Sequence, residues 1–156
     1  MQQAAIKTRA ADPIGSYATR VFRGEVPPPP IAQTLGLGLV SLAPGQAVAE
    51  YRVDLERHAN PMGTVHGGVL CDLADLAMGV VYGGTLQEGE SFTTVELTIN
   101  FLRPVFGGTL RATARLVHGG RSLGLIECDI MDERGRLVAR AKSTCMTLRG
   151  PQAAGR

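Results

Sequence analysis

The stretch HGGVLCDLAD, His66 to Asp75, opens the longest helical pattern in the chain with two adjacent glycines, then sets two carboxylates among leucines and alanines. Glycine weakens a helix by roughly 1 kcal/mol relative to alanine. An unpaired carboxylate buried among apolar side chains is costly as well. Both choices call for a physical reason. At about 100° per residue, Val69, Leu70, Leu73, Leu76, Ala77, Val80 and Val81 gather on one side of the helix, the side expected to face a sheet. Asp75 falls near the middle of the opposite side, beside Cys71, Met78, Gly79 and Tyr82, with Asp72 slightly off it.

A solvated helix face carries lysine and glutamate, yet no Lys, Arg or Glu occurs from His58 to Gln87. The outward face is therefore expected to be covered, and in a one-helix domain a second copy is the simplest cover. A monomer surface rich in small residues is the alternative. Asp72 lies in the early helix, where a negative charge gains roughly 0.3 to 1 kcal/mol from the dipole. Asp75 lies about a turn deeper, beyond most of that benefit, and is the stronger functional candidate. Bare Gly67 and Gly68 would let another atom approach the free N–H groups of the helix start. Donors that polarise a carbonyl oxygen, with a carboxylate to activate water or attack directly, are the minimum set for acyl transfer.

Working outward, TLGLGLVSL and AVAEYRVDL flank the turn signal Pro44-Gly45 and read as a hairpin. After the helix, residues 92–101 alternate, with Thr93, Val95, Leu97, Ile99 and Phe101 on one face and Thr94, Glu96, Thr98 and Asn100 on the other. Three further runs, LRATARLVH, SLGLIECDIM and RLVARAKSTCMTL, are punctuated by Gly107-Gly108, Gly119-Gly120 and Glu133-Arg134-Gly135, at the spacing of an antiparallel meander. One long helix on one antiparallel sheet is an α+β architecture. Residues 1–30 read as an N-terminal arm with a weak helical pattern (Ile14, Tyr17, Ala18, Val21, Phe22) and a stiff spacer, Pro27 to Pro30. The main domain runs over 31–150, and 151–156 read as a flexible tail.

At 156 residues and 44% hydrophobic, the chain suits one ordinary domain with a complete core. A formal charge of +2 is too small to argue for a nucleic-acid surface. Cys71, Cys128 and Cys145 form an odd set without CxxC pairing, which suggests reduced thiols and a cytoplasmic setting. No stretch offers the roughly 20 apolar residues of a membrane span, and no signal-peptide core forms before Lys7, Arg9 and Asp12 interrupt the N-terminus. His58, His66 and His118 show no metal-ligand spacing, and no GxSxG nucleophile motif occurs.

NPMGTVHGG followed by LAD, from Asn60 to Asp75, with TTVELTINFLRP behind it, closely resembles the hotdog-fold acyl-CoA thioesterases of the phenylacetate-pathway type, relatives of the 4-hydroxybenzoyl-CoA thioesterases. The likeness runs from about Leu35 to Leu148. It implies one long central helix wrapped by a five- or six-stranded antiparallel sheet, paired into homodimers and often tetramers. It implies hydrolysis of an aryl or medium-chain acyl-CoA without a cofactor or metal, coenzyme A being part of the substrate. In this resemblance Asp75 is the general base or nucleophile, the Gly67 amide polarises the thioester carbonyl, and Asn60 holds the attacking water or the loop around it. Thr94 reaches the site from the neighbouring subunit. His66 and Gly68 shape the substrate-binding turn. Arg121 and Ser122 in GGRSLG, or Arg103, fall where the nucleotide end of coenzyme A would lie.

Two rivals share the fold. A hotdog hydratase needs an Asp two residues before the Asn and a His two residues after the Pro, where this chain has His58 and Gly63. A non-catalytic acyl-CoA-binding module would use the same groove, and its DNA-reading partner domain finds no room in thirty residues ending in PPPP.

Overall fold

The computed structural model describes residues 17–154. Their order is α1 (Tyr17–Phe22), α2 (Pro30–Leu35), β1 (Leu37–Ala43), β2 (Gln46–Arg52), α3 (Leu55–His58), α4 (Gly67–Gly83), β3 (Ser91–Phe101), β4 (Thr109–Gly119), β5 (Leu123–Asp132) and β6 (Leu137–Leu148). A single 3-10 turn, Gly150–Gln152, follows. The six strands form one antiparallel sheet in the order β1-β2-β4-β5-β6-β3. Helix α4 packs against β2 through β6. This is the hotdog arrangement expected from the sequence.

Small side chains let the helix sit close. Ala47 and Ala49 on β2, and Ala112 and Ala114 on β4, are fully buried under α4 between the larger Tyr51, Leu110 and Leu116. The alternation of alanine with bulk along these strands lets neighbouring layers interdigitate. Gly124 on β5 has a sharper purpose. A Cβ there would overlap the ring of Tyr82, which is 1% exposed and whose hydroxyl shares a 2.8 Å hydrogen bond with Thr147 Oγ1.

Three sequence expectations change. The apolar face of α4 is rotated: Met78 and Tyr82, expected outward, are buried, whereas Leu76 and Val80 are only half-buried. Two apolar arcs overlap on this helix, and the sheet takes the one carrying the bulkiest side chains. Strand β3 does not alternate cleanly, because its register with β6 shifts between Thr94 and Glu96. The bulge turns Val95 outward at 58% exposure, while Phe92, Leu97 and Ile99 pack on the core. The proline run is not spacer throughout. Pro30 is the first residue of α2, where its fixed φ suits a helix and its missing N–H costs nothing. Gly36, at φ +69, ends α2 by giving its N–H to Ala32 and Gln33, so the expected strand TLGLGLVSL begins only at Leu37. Of the expected arm helix, Ile14 lies outside the described residues.

Candidate active site

Asp75 projects from the middle of α4 and accepts a hydrogen bond of 3.3 Å from Thr94 Oγ1. Thr94 pairs in register with Cys145, whose Sγ lies 4.0 Å from the same hydroxyl. The resemblance had implied a Thr94 from the neighbouring subunit. Within the chain it stands beside Asp75, where the bulge at Val95 turns it toward the helix. The Asp75 side chain stays open to a groove. Burial pushes its carboxyl above the ordinary 3.8, the Thr94 hydrogen bond opposes this, and the charge of Asp72 adds to it. Burial raises the Asp72 carboxyl as well.

The groove beside Asp75 has a volume of about 850 Å3. Leu76, Gly79, Val80 and Gly83 continue its wall along α4, and Phe92 faces them from β3. The Phe92 ring would lie 3.5 Å from a Cβ at Gly79 and 3.7 Å from one at Gly83. A Cβ at either position would only touch the ring at ordinary contact distance.

The start of α4 carries the other expected residues. His66 is the N-cap, its Nδ1 accepting the Gly68 N–H at 2.9 Å. That role leaves the proton of a neutral ring on Nε2, and it gives the Gly68 amide a partner within the chain. Among the described residues no hydrogen bond engages the Gly67 N–H. Phe101 explains the missing side chain at Gly67, since a Cβ would sit 2.9 Å from the end of its ring. Asn60 builds the preceding loop. Its Oδ1 accepts from Met62 N at 3.0 Å and Thr64 N at 3.2 Å, and its Nδ2 donates to Thr64 Oγ1 at 2.8 Å. Of the two roles implied for Asn60, holding the loop is the one its contacts perform.

Asn60, His66, Gly67, Gly68 and Arg103 line one shallow depression together with Phe101 and Leu102. Arg121 and Ser122 line neither hollow. They form the turn between β4 and β5, where the Arg121 carbonyl accepts from Arg149 Nη2 at 2.5 Å and the Ser122 carbonyl from Thr147 N at 2.9 Å. Sequence reasoning missed a supporting pair. Tyr51, 1% exposed, meets His58 Nδ1 at 2.8 Å through its hydroxyl, and the His58 carbonyl accepts the His66 N–H at 2.9 Å. A tyrosine near a strand end and a histidine seven residues on give no periodic signal.

Asp75 lies eight residues beyond Gly67, about 12 Å along the helix axis and about 80° around it. No single carbonyl can touch both groups of one chain, because each contact needs to be near 3 Å. The Gly67 amide and the Asp75 carboxylate of one chain therefore stand apart. The outward stripe of α4 and the edge strand β3 border them, with Phe101 and Leu102 each 53% exposed. Among the described residues no cluster of three or more His, Cys, Asp or Glu could hold a metal ion. None of the described helices is long and apolar enough to cross a membrane.

Residues 62–139 match the family model of the Thioesterase superfamily. The chain is 35% identical over 115 residues to the acyl-coenzyme A thioesterase PaaI of Escherichia coli, a match spanning 72% of this chain and 79% of that protein. It is 31% identical over 114 residues to the 1,4-dihydroxy-2-naphthoyl-CoA hydrolase of Listeria monocytogenes, spanning 73% and 92%. The solved phenylacetic acid degradation-related protein of Ralstonia eutropha superposes with a TM-score of 0.76 at 36% identity, covering 83% of this chain and 98% of that one.

Proposed function

Because the chain belongs to the thioesterase superfamily, we propose that this hydrolase cleaves acyl-CoA thioesters to free acid and coenzyme A, at sites shared between two copies of the chain. The observation that carries this reading is Asp75: a carboxylate held by Thr94 and opening onto a largely apolar groove. The Gly67 N–H and the Asn60 loop of one copy complete the site with Asp75 and Thr94 of the other. The largely uncharged outward stripe of α4 and the exposed apolar residues of β3 support such pairing. The relatives' names point to acyl-CoA substrates. Three unpaired thiols suit a cytoplasmic home.

As general base, Asp75 takes a proton from water, and the oxygen attacks the thioester carbon. The oxyanion is met by the Gly67 amide, and the C–S bond then breaks to release a thiolate. Thiolate is a good leaving group, so no second acid is required. As nucleophile, Asp75 would instead form a mixed anhydride that water opens. An upward-shifted carboxyl favours the base, because proton transfer works best near the operating pH. The amide donor contributes roughly 2.7 to 4 kcal/mol if it acts like other oxyanion donors, and base assistance about 100- to 10,000-fold. No metal or cofactor is needed for these steps.

A thiol-release assay over aryl and aliphatic acyl-CoAs, with Asp75→Asn in parallel, tests the reading. Unchanged turnover in the variant removes Asp75 from the mechanism. Retention of acyl-CoA without thiol release would instead make the chain a binding module. Single turnover in 18O-water reads the nucleophilic role, since Asp75 gains label only when it has formed the anhydride and water opens it at the Asp75 carbonyl.

A further inference from the structure

The groove that holds Asp75 is bordered on its outer side by residues that precede the 62–139 match. Tyr17, Ala18 and Val21 of α1 line it with Pro28 and Pro29 of the proline run, facing the α4 stripe. This wall is stiffened locally. Tyr17 Oη donates to the Pro27 carbonyl at 2.9 Å, and Gln33 Nε2 donates to the Pro28 carbonyl at 2.6 Å. Prolines lose little backbone freedom on ordering, so the segment holds its shape at low entropic cost.

Resting on the acyl-CoA reading above, we propose that residues 17–29 form the outer wall of the acyl channel and set its preference for long, uncharged, apolar acyl groups. The channel runs from Asp75 to Gly83, about 12 Å of helix, and its 850 Å3 lies near the upper end of volumes that enclose small ligands. An acetyl group would leave most of it empty. Between Asp75 and the far end the lining is apolar, with no lysine, arginine or histidine on it. At that end stand Glu88 and Glu90, the latter paired with Arg149 at 2.7 Å. A tail ending in a carboxylate finds no cation along this lining and meets the exposed Glu88 at its end, whereas an apolar tail keeps contact with Val21 and Val80.

The test uses the full chain with two substitutions in the wall, Ala18→Trp to shorten the channel and Val21→Ala to loosen it. The kcat/KM ratio for dodecanoyl-CoA over acetyl-CoA is measured for each, with thermal midpoints to confirm folding. Each displaced methylene forfeits part of the binding, so the ratio falls by about 10-fold or more in Ala18→Trp and about 3-fold in Val21→Ala. In the unmodified chain dodecanoyl-CoA exceeds dodecanedioyl-CoA by at least about 10-fold. Calorimetric affinities for the thioethers S-dodecyl-CoA and S-ethyl-CoA give the same ratio without catalysis. Absence of thiol release from every substrate defeats the acyl-CoA reading, while the thioethers still report on the wall. Ratios within about 2-fold of the unmodified chain in both variants, by either readout, overturn the proposed wall.

Discussion

Thr94 and Asp75 stand nineteen residues apart in sequence, yet the hydroxyl of one donates to the carboxylate of the other at 3.3 Å. The contact exists because β3 bulges at Val95, so that Thr94 turns toward α4. It opposes the burial that raises the Asp75 carboxyl. Removing it with Thr94→Ala should move the acid limb of the kcat/KM profile to higher pH and cost about 10-fold in rate, whereas Thr94→Ser should keep both near normal. A pH profile that does not move in Thr94→Ala would detach the hydroxyl from the titrating group.

Asp75 also governs stability. Its folded carboxyl lies above 3.8, so the folded chain holds this proton more tightly than the unfolded chain does. Stability contributed by the protonated form is lost as pH rises from 3.8 through the folded value, and the penalty is complete at neutral pH. Asp75→Asn should therefore raise the thermal midpoint at about pH 7, and the gain should vanish near pH 3. Calorimetry at both values checks the sign. Equal midpoints at neutral pH would mean a well-hydrated carboxylate.

Glycines 67 and 124 should respond differently to alanine. At Gly67 the clash is with the outer end of the exposed Phe101 ring, which can swing aside, so Gly67→Ala should stay within about 1 kcal/mol of the parent in stability while losing turnover. At Gly124 the obstacle is the buried Tyr82 ring tied to Thr147, and Gly124→Ala should cost about 1 to 3 kcal/mol. Urea unfolding of the two variants compares them directly. Similar losses would contradict the packing described.

The Asn60 loop should fail with its side chain. Asn60→Ala removes the shared acceptor of the Met62 and Thr64 amides, which water replaces only in part, and should lower stability by about 0.5 to 1.5 kcal/mol. Asn60→Asp keeps the acceptor and should lose less. Proteolysis between Asn60 and Val65 reads the loop locally.

If two copies share each site, inactive Asp75→Asn and Asn60→Ala chains should regain thiol release after being unfolded and refolded together, because a hybrid pair contains one intact combination. The parent should have a solution mass of at least twice 16.5 kDa, and Val95→Lys on the exposed edge should reduce both mass and activity. An active 16.5 kDa species would refute the shared site.

Much of this molecule was legible in its sequence where the signal was local. The hairpin at Pro44-Gly45, the three closing strands and the long helix all follow from periodicity and turn residues, and Asp75 stood out as a charge without an evident partner. Legibility stopped where two local readings were equally good. Periodicity on α4 fitted two apolar arcs, and Tyr82 went inward because Gly124, forty-two residues on, makes room for its ring. Alternation on β3 carried no trace of the bulge, which is a property of pairing with β6.

Residue order alone thus determined the α+β class and the helix with its two acids, since these depend on neighbours within a few turns, while the acyl-CoA chemistry came from the likeness to a family. Only tertiary structure decided that Thr94 serves Asp75 of the same chain, that Gly68 is occupied by His66, and that the proline arm lines the groove. Those relationships join segments distant in sequence. They are set by which side chains fit together in three dimensions, a condition that no local pattern expresses.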